Sequence, residues 1–395
     1  MSVNPIPLPE LPPLLQRLQQ WSAINSGSEN IAGLGHMADA LEIALRELTD
    51  HVERVPLDDA GRLALRASMR PEAPIRILCS GHYDTVFDTG SAFQSAQLSS
   101  DGKRLNGPGV ADMKGGIVTM LAALAAFEKT SGASNIGWTV LLTPDEETGS
   151  AASAPVIAAA AQDHNLGLVF EPSRESGAMV RSRSATAIFT AELHGRSAHA
   201  GRNPEDGRNA VTALAEFCLA MESLPLSIPD TQINVGNFSG GGTVNIVPDH
   251  AVAEINARGS TAKAVTTITE EIHRLAKALD SRDGYRLNLT GGFNRDPLQS
   301  TPLTETLFAQ LSTCATDLGQ PALEWAHVAG GSDGNLLHAV GLPVLDGLGP
   351  VGGGLHSDRE YIEVATLPAR AQLAATFLQR IATGQLSLSI SPSAS

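Results

Sequence analysis

The first half of the chain alternates apolar runs that end in polar residues with segments of helical periodicity. Residues 75–87 (IRILCSGHYDTVF), 136–147 (IGWTVLLTPDEE) and 167–173 (GLVFEPS) are runs of the first kind, and residues 115–130 are helical in spacing. Short continuous apolar runs are typical of strands that are buried on both faces of a parallel sheet. The alternation therefore predicts a mainly parallel sheet covered by helices.

After about residue 184 the pattern changes to a regular alternation of apolar and polar positions. Residues 186–195 (TAIFTAELHG) show it most clearly, and helical spacing follows at about 209–222 and again at about 263–279. The order strand, helix, strand, strand, helix, strand is that of a small α+β sandwich with one exposed face. From about Asn294 the α/β pattern resumes, with a helix predicted near 303–318.

We therefore predict an α/β fold in which a catalytic domain, built on a mainly parallel helix-covered sheet, is interrupted by a smaller α+β two-layer sandwich. The length agrees, because 395 residues are more than one hydrophobic core usually supports, at roughly 150 residues per domain. The predicted parts are residues 1–183 for the first part of the catalytic domain, 184–294 for the inserted domain, and 295–395 for the second part.

Composition restricts the expected partners and compartment. The net charge of −15 argues against nucleic acid and anionic membrane surfaces, because both attract a surplus of Lys and Arg. No window approaches the roughly 20 apolar residues of a membrane span, and the N-terminus lacks the pattern of a secretion signal. We expect a cytoplasmic protein. Cys79, Cys218 and Cys314 are too widely spaced for a disulfide framework and are predicted to be buried free thiols.

Histidine and acidic residues occur where the predicted strands end. If the strands are neighbours in one parallel sheet, their carboxyl ends meet at a single crevice. Carboxylates that are crowded there need cations or protons to compensate their charge. The candidate residues are His82, Asp84, Asp112, Glu146, Glu147, Glu171 and, from the last segment, His356.

Imidazole and carboxylate ligands without thiolates favour a catalytic zinc, cobalt or manganese site over a structural zinc site. Two histidines and three or more acids exceed the needs of one four-coordinate ion. Two ions that share a bridging carboxylate, roughly 3.5–4 Å apart, would use them all. Each motif taken singly is more typical of solvated loop residues, whereas the whole set in this order favours the metal site.

The spacing of neighbouring residues predicts which of them bind metal and which have supporting or general-base roles. In an extended strand His82 and Asp84 point to the same side, so Asp84 can accept the second imidazole N–H and fix the tautomer of the ligand. Glu146 and Glu147 point to opposite sides in such a strand. One of them can bind metal while the other acts as a general base on water.

These motifs resemble those of a known family, the di-zinc metallopeptidases that include carboxypeptidase G, acetylornithine deacetylase, succinyl-diaminopimelate desuccinylase, aminoacylases and dipeptidases. The similarity runs from about residue 70 to 380. The stretches that carry it are SGHYDTVF, GPGVADMKGG, TPDEETGS, FEPS and HSDREY.

The resemblance implies a set of ligands for two zinc ions. One ion would be bound by His82 and Glu171, the other by Glu147 and His356, and Asp112 would bridge both. It further implies a supporting role for Asp84, the general-base role for Glu146, and a cis peptide bond between Asp112 and Met113.

The resemblance also covers the insert, where LHGRSAHAGRNPEDGRNA is similar to the family's dimerisation domain. It implies a homodimer in which His199 reaches the partner subunit's active site and stabilises the oxyanion. Asn245, Arg258 and Gly330 match substrate-binding positions, and the planar fork of an arginine suits a carboxylate. Considered without the resemblance, an Asn or Arg at a strand end is ordinary.

The similarity is greatest to the glutamate carboxypeptidase branch. It implies a hydrolase with two Zn²⁺ per subunit, Co²⁺ or Mn²⁺ also suiting the ligands, that cleaves an amide in a small substrate with a free α-carboxylate. A water held by the metals would attack after Glu146 takes its proton. The alternatives are an N-acyl-amino-acid deacylase, of the acetylornithine deacetylase or aminoacylase type, and a ligand-binding dimer without catalytic activity.

Overall fold

The computed structural model describes residues 6–388. Contacts divide this chain into two compact units. The first unit extends to Arg181 and also contains Ser300–His327 and the residues from Ser332 onwards. The second unit consists of Ser182–Gln299 together with the short segment Val328–Gly331.

Strands and helices within residues 6–388 are numbered in chain order. The strands are β1 (Val52–Pro56), β2 (Leu63–Met69), β3 (Ile75–His82), β4 (Gln97–Leu98), β5 (Arg104–Asn106), β6 (Ile136–Thr143), β7 (Leu166–Val169), β8 (Met179–Arg183), β9 (Ala185–His194), β10 (Thr231–Gly240), β11 (His250–Gly259), β12 (Arg286–Phe293), β13 (Trp325–Val328), β14 (Val344–Asp346), β15 (Gly352–Gly353) and β16 (Tyr361–Glu363). The helices are α1 (Leu11–Ser22), α2 (Ile31–Arg46), α3 (Lys114–Phe127), α4 (Ala154–Gln162), α5 (Ala210–Ser223), α6 (Ala262–Asp280), α7 (Pro302–Asp317), α8 (Asp333–Ala339) and α9 (Thr366–Ala382).

The largest sheet has the strand order β1-β2-β6-β3-β7-β14-β8-β13. Its centre is parallel, since β6, β3, β7 and β14 all run in the same direction, whereas β1, β2 and β6 pair antiparallel. All of β6 is buried, and β3 is buried from Ile77 to His82. This burial explains the continuous apolar runs in the sequence. The predicted α/β class is confirmed, and the carboxyl ends of β3, β6 and β7 lie at one edge of the sheet.

Helix α3 packs against α1 and α9, and most of its side chains are buried. Its first residue is Lys114, and although a lysine that begins a helix is usually solvated, this one is not. The side chain is buried, and Nζ donates to the carbonyls of Trp21 (3.1 Å) and Ile24 (2.8 Å). Burial lowers the pKa of Lys114 to about 7. The ammonium group therefore satisfies carbonyls at and just beyond the C-terminal end of α1, where helices leave such groups unpaired.

A small antiparallel sheet was not anticipated from the sequence. It joins β15, β16, β5 and β4 in that order, and Tyr361 of β16 pairs with Asn106 of β5. Strands of two or three residues are too short for a periodic pattern to be visible. The sheet is important for the site because it connects the segment that follows Gly349 with the segment that precedes Asp112.

The second unit is a four-stranded antiparallel sheet, ordered β10-β11-β9-β12, with α5 and α6 on one face. Alternate residues of β9 and β11 are buried against these helices, which is the predicted pattern. The side chains of Asn209 and Thr261 cap α5 and α6 by accepting the N–H of Thr212 and Ala264. The predicted order strand, helix, strand, strand, helix, strand is confirmed.

The three cysteines are far apart in the sequence, and each is buried. Cys79, Cys218 and Cys314 are buried free thiols, as predicted. Burial raises the pKa of Cys79 to about 12 and that of Cys218 to about 11, which keeps both thiols protonated and unreactive. No helix in the described residues is long and apolar enough to cross a membrane.

The partly buried imidazole of His164, which follows α4, is expected to make the stability of the protein depend on pH. Its Nδ1 lies 2.6 Å from the carbonyl oxygen of Ala160 and its Nε2 lies 2.9 Å from Thr139 Oγ1. Burial lowers the pKa of this imidazole, so the unfolded chain binds the proton more readily than the folded chain. The destabilising effect is absent well above pH ~6.5, the ordinary pKa of histidine, and grows as the pH falls below it.

We therefore expect His164→Gln to weaken the fall in melting temperature between about pH 7.5 and pH 5.5. Calorimetric melting of the wild type, His164→Gln and the exposed control His36→Gln would measure this. The control should follow the wild type at every pH. Parallel curves for the wild type and His164→Gln would show that His164 does not titrate differently in the folded and unfolded states.

Candidate metal centre

The carboxylate of Asp84 connects the end of β3 to the turn that follows β6. Asp84 Oδ1 lies 3.2 Å from His82 Nδ1, and both side chains are buried. The two carboxylate oxygens also accept the backbone N–H groups of Glu146 and Glu147, each at 3.1 Å, and the hydroxyl of Ser28 at 2.8 Å. Asp84 thus occupies Nδ1 of His82 and leaves Nε2 to face other groups.

The two glutamates lie in a 3₁₀ turn, Glu146–Thr148, rather than in the extended strand that the spacing argument assumed. Gly149 ends this turn with a φ of 100°, a conformation that favours glycine. Asp145, which precedes the two glutamates, is buried and accepts the N–H (3.2 Å) and hydroxyl (2.5 Å) of Ser153. The backbone of the turn is therefore fixed from both sides, by Asp84 and by Asp145.

Asp112 lies between two groups of potential ligands. Its Oδ1 is 3.1 Å from His82 Nε2, which is 3.6 Å from Glu171 Oε1. Its Oδ2 is 3.4 Å from His356 Nε2, which is 3.1 Å from Glu147 Oε2. Within each group of three residues the nearest ligand atoms all lie within 4.8 Å of one another. One carboxylate therefore faces both groups, with one oxygen towards each.

This donor set is suitable for divalent cations. The separations of 3.1–3.6 Å between donor atoms are close to the edge, about 3.3 Å, of a tetrahedron whose metal–ligand bonds are about 2.0–2.1 Å long. Nitrogen and oxygen donors are also the types that zinc, cobalt and manganese accept. The peptide bond between Asp112 and Met113 is cis.

The charges of the cluster require compensation. Burial, reinforced by the nearby Asp112, raises the pKa of Glu147 to about 7, and hydrogen bonds with Asp112 and Glu147 raise the pKa of His356 to about 10. Although burial opposes its ionisation, hydrogen bonds from His356 and His82 hold the pKa of Asp112 well below the usual range. Either protons on the imidazoles or bound cations can neutralise these acids, and a cation must displace the protons.

Two further residues support the cluster and were not found in the sequence. Ser28 donates to Asp84, and nothing in its surroundings in the sequence indicates this role. Glu360 is buried and accepts backbone N–H groups next to Asp112. A signal for Glu360 did exist, since it lies in the same HSDREY stretch as His356.

His199 and Asn245, both in the second unit, are brought close together. The segments that contain them pair through a bridge between His199 and Ile246 and through a hydrogen bond from Ala200 N to the carbonyl of Asn245 (3.0 Å). His199 and Asn245 are exposed. His199 Nδ1 accepts the N–H of Gly201 at 3.1 Å, so Nε2 is the ring nitrogen that this bond does not use.

Arg258 and Gly330 are brought together by a second set of contacts in this unit. Arg258 Nη1 donates to the carbonyl of Ala329 at 2.9 Å, and its Nε donates to Asn256 Oδ1 at 3.0 Å. Arg183 Nη1 donates to the carbonyls of Gly330 (3.3 Å) and Gly331 (3.2 Å). The guanidinium of Arg258 is half-buried and is directed along the same strand face as its neighbour Asn256.

A third group of possible ligands, Glu192, His194 and His250, lies on the exposed face of β9 and β11. Glu192 Oε1 is 3.4 Å from His194 Nε2 and 3.0 Å from His250 Nε2, and the His250 hydrogen bond lowers the pKa of Glu192. We interpret this group as exposed ion pairs, which contribute little to stability.

The chain matches the model of the family described as peptidase family M20/M25/M40 over residues 78–380. It is 26% identical over 389 residues to carboxypeptidase G2 of Pseudomonas sp. (strain RS-16), which covers 95% of this chain and 91% of that protein. It is 29% identical over 337 residues to the succinyl-diaminopimelate desuccinylase of Paracidovorax citrulli (strain AAC00-1), which covers 80% of this chain and 84% of that protein.

Solved structures have the same fold. A tripeptidase from Staphylococcus aureus superposes with a TM-score of 0.76 at 21% identity, covering 95% of this chain and all (100%) of that one. An M20 family metallo-carboxypeptidase from Sulfolobus solfataricus gives a TM-score of 0.75 at 16% identity, with 94% and 99% covered.

The fold and the relatives together define a metallohydrolase, so the ligand-binding dimer without catalytic activity is not supported. More specifically, the chain belongs to peptidase family M20/M25/M40.

Proposed function

We propose that this protein is a dinuclear amide hydrolase of the glutamate carboxypeptidase type, acting on a small substrate with a free α-carboxylate. The observation that carries the proposal is the position of Asp112, whose two carboxylate oxygens each face a separate His–Glu pair. The similarity to carboxypeptidase G2 over nearly the whole chain supports the substrate class.

His82 and Glu171 are the proposed ligands of one ion, Glu147 and His356 those of the other, and Asp112 is shared. When bound, two zinc ions would supply Lewis acidity, which makes water a nucleophile at neutral pH and polarises the amide carbonyl. Asp84 keeps Nε2 of His82 directed at Asp112 by engaging Nδ1. Cobalt or manganese would suit the same nitrogen and oxygen donors.

Glu146 is the proposed general base. Its backbone N–H is held by Asp84, and it is next to the proposed ligand Glu147 in the turn. Glu146 is not a member of either ligand group. We therefore propose that its carboxylate accepts a proton from a water molecule beside the ligands. It would take a proton from the attacking water and return it to the leaving amine as the C–N bond breaks.

The second unit is proposed to supply recognition and oxyanion stabilisation. Arg258 would donate two parallel hydrogen bonds to the substrate α-carboxylate, and Asn245 and the backbone of Gly330 would add polar contacts. His199 would stabilise the oxyanion from the partner subunit of a homodimer. Its Nε2 is available for such a contact because Nδ1 already accepts a backbone N–H.

A second candidate function is an N-acyl-amino-acid deacylase, in which the acyl group is simple and the released amino acid carries the carboxylate. The observation that favours it is the similarity to desuccinylases at up to 29% identity. The bond and the proposed machinery are the same in both functions, so only the preferred substrate separates them.

A hydrolysis screen with the zinc-loaded protein tests both functions. We expect a C-terminal glutamate conjugate to be cleaved and its α-amide analogue to be resistant.

Arg258→Gln should raise KM for the conjugate by about 10- to 100-fold, because hydrogen bonds to a charged group are lost, whereas the exposed control Arg274→Gln should leave KM unchanged. Equal cleavage of the α-amide would contradict carboxylate recognition, and preference for simple N-acyl amino acids would favour the deacylase.

A further inference from the structure

The backbone around Asp112 is held by a glutamate from a distant part of the chain. Glu360 Oε1 accepts the N–H of Ala111 at 2.8 Å and the N–H of Asp112 at 3.0 Å. Its Oε2 accepts the N–H of Gly109 at 3.2 Å. The side chain is 1% exposed, so these three bonds form out of contact with water. Although burial and the nearby Asp112 raise the pKa of Glu360 to about 8, three N–H donors directed at its two oxygens are the complement of an ionised carboxylate, which only accepts.

The segment that carries Glu360 is itself fixed to the chain before Asp112. The carbonyl of Glu360 accepts the N–H of Gly107 (3.1 Å) and Nδ2 of Asn106 (2.7 Å). Asn106 also donates to the carbonyl of Asp358 at 3.2 Å. These bonds extend the pairing between β5 and β16 into the loop, so main chain and side chain of Glu360 hold the same stretch.

His356 belongs to the same short turn. It has a φ of 58°, in the left-handed region, and lies four positions before Glu360. Ser357 closes the turn by donating its hydroxyl to the carbonyl of Gly354 (2.7 Å), while its own carbonyl accepts the N–H of Glu360 (3.1 Å). One turn therefore carries both a proposed metal ligand and the anchor of the carboxylate that the two ion sites would share.

We propose that Glu360 is the positioning residue of the bridging carboxylate: it fixes the 109–112 loop relative to His356, so that the two oxygens of Asp112 face the two ligand pairs at once. This inference rests on the proposed function, because it requires Asp112 to be a metal ligand. Glu360 belongs to neither group of possible ligands and would act only through the backbone of residues 109–112. Residues that orient a ligand in this way typically change metal affinity by about 10- to 100-fold when replaced.

Two replacements of Glu360 distinguish the effect of its side-chain length from the effect of its charge. Glu360→Gln keeps the length, but its amide group must turn NH₂ towards at least one of the three N–H donors, which loses a bond and opposes two donors. Glu360→Asp keeps the charge but is one methylene shorter, so it cannot serve all three donors. Glu363→Gln is the matched control, since Glu363 lies three residues after Glu360, at the end of β16, and its side chain is partly exposed beside Arg104.

The test is a cobalt(II) titration of the metal-free full-length protein, followed by visible absorption, which reports on the ligand geometry independently of turnover. We expect Glu360→Gln and Glu360→Asp each to weaken cobalt binding by about 10- to 100-fold and to alter the absorption bands at saturation, while Glu363→Gln matches the wild type. At saturating cobalt, kcat should fall and KM should change little.

Two outcomes would overturn the proposal. In the first, Glu360→Gln binds cobalt with the affinity and the absorption bands of the wild type and differs only in a lower melting temperature. This result would show that Glu360 has a structural role only. Glu360→Asp could retain wild-type binding, which would assign the effect to charge and not to positioning. If Glu360→Gln does not fold by circular dichroism, Glu360→Asp decides alone.

Asp112→Asn is titrated in parallel: normal cobalt binding by this variant would refute the proposed function itself, whereas its loss beside normal Glu360 variants would refute only the positioning role.

Discussion

Replacing Glu146 with glutamine should lower kcat by about 10²- to 10⁴-fold while the protein still binds both divalent ions. Glutamine has nearly the same shape but cannot accept a proton from water, so the attack on the amide carbonyl loses its base and the leaving amine loses its proton donor. The backbone N–H of residue 146 still reaches Asp84, because the substitution leaves the main chain unchanged. The loss should therefore appear in kcat and hardly in KM.

Steady-state kinetics and metal analysis of the same Glu146→Gln preparation would measure both parts of this expectation. The exposed Glu53→Gln of β1 is a suitable control, since it removes one carboxylate far along the sheet order from β3. Near-normal turnover by Glu146→Gln would show that another group takes the proton. Loss of metal together with turnover would instead place Glu146 among the ligands.

Replacing Asp112 with asparagine should reduce bound metal from two ions per chain to less than one and remove measurable hydrolysis. Asp112 is the one residue common to both ligand groups, so its loss as an anion weakens both ion sites at the same time. An amide oxygen donates less electron density than a carboxylate, and the amide nitrogen would face one of the histidines as a donor.

Metal content after dialysis against excess zinc, compared with the exposed Asp59→Asn, would test this expectation. His82→Asn and His356→Asn belong in the same series, because each should weaken one ion site and leave the other. Retention of two ions by Asp112→Asn would mean that the ions do not share this carboxylate. Loss of both ions in either histidine variant would mean that the two sites fill only together.

The sequence was sufficient for the arrangement of the larger elements. Unbroken apolar runs, such as that of β6, predict strands that are buried in a parallel sheet. The alternating pattern of β9 predicts a sheet with one solvent-exposed face. It also indicated that His82, Asp112, Glu147, Glu171 and His356 would lie together, and the structure brings them into two groups in which the ligand atoms lie within 4.8 Å of one another. That they bind metal stays a prediction.

The features of the site that could not be predicted from the sequence depend on contacts between distant segments of the chain. Glu360 is one acidic residue among many, and its role follows only from the pairing of β16 with β5, some 250 positions earlier. The burial of Lys114 could not be predicted either, because its carbonyl acceptors lie in α1 and just beyond it, about 90 positions earlier. Local spacing also misplaced Glu146 and Glu147, because a 3₁₀ turn replaces the extended strand that the argument assumed.

The assignment of Val328–Gly331 to the second unit has a practical consequence for anyone who would produce that unit as a separate fragment. A fragment cut at Ser182 and Gln299 omits these four residues, because the chain enters the second unit twice. It would lack the Gly330 and Gly331 carbonyls that Arg183 uses and the Ala329 carbonyl that Arg258 uses. Grafting, swapping or deleting this unit therefore requires two joined pieces of chain, with four cut points.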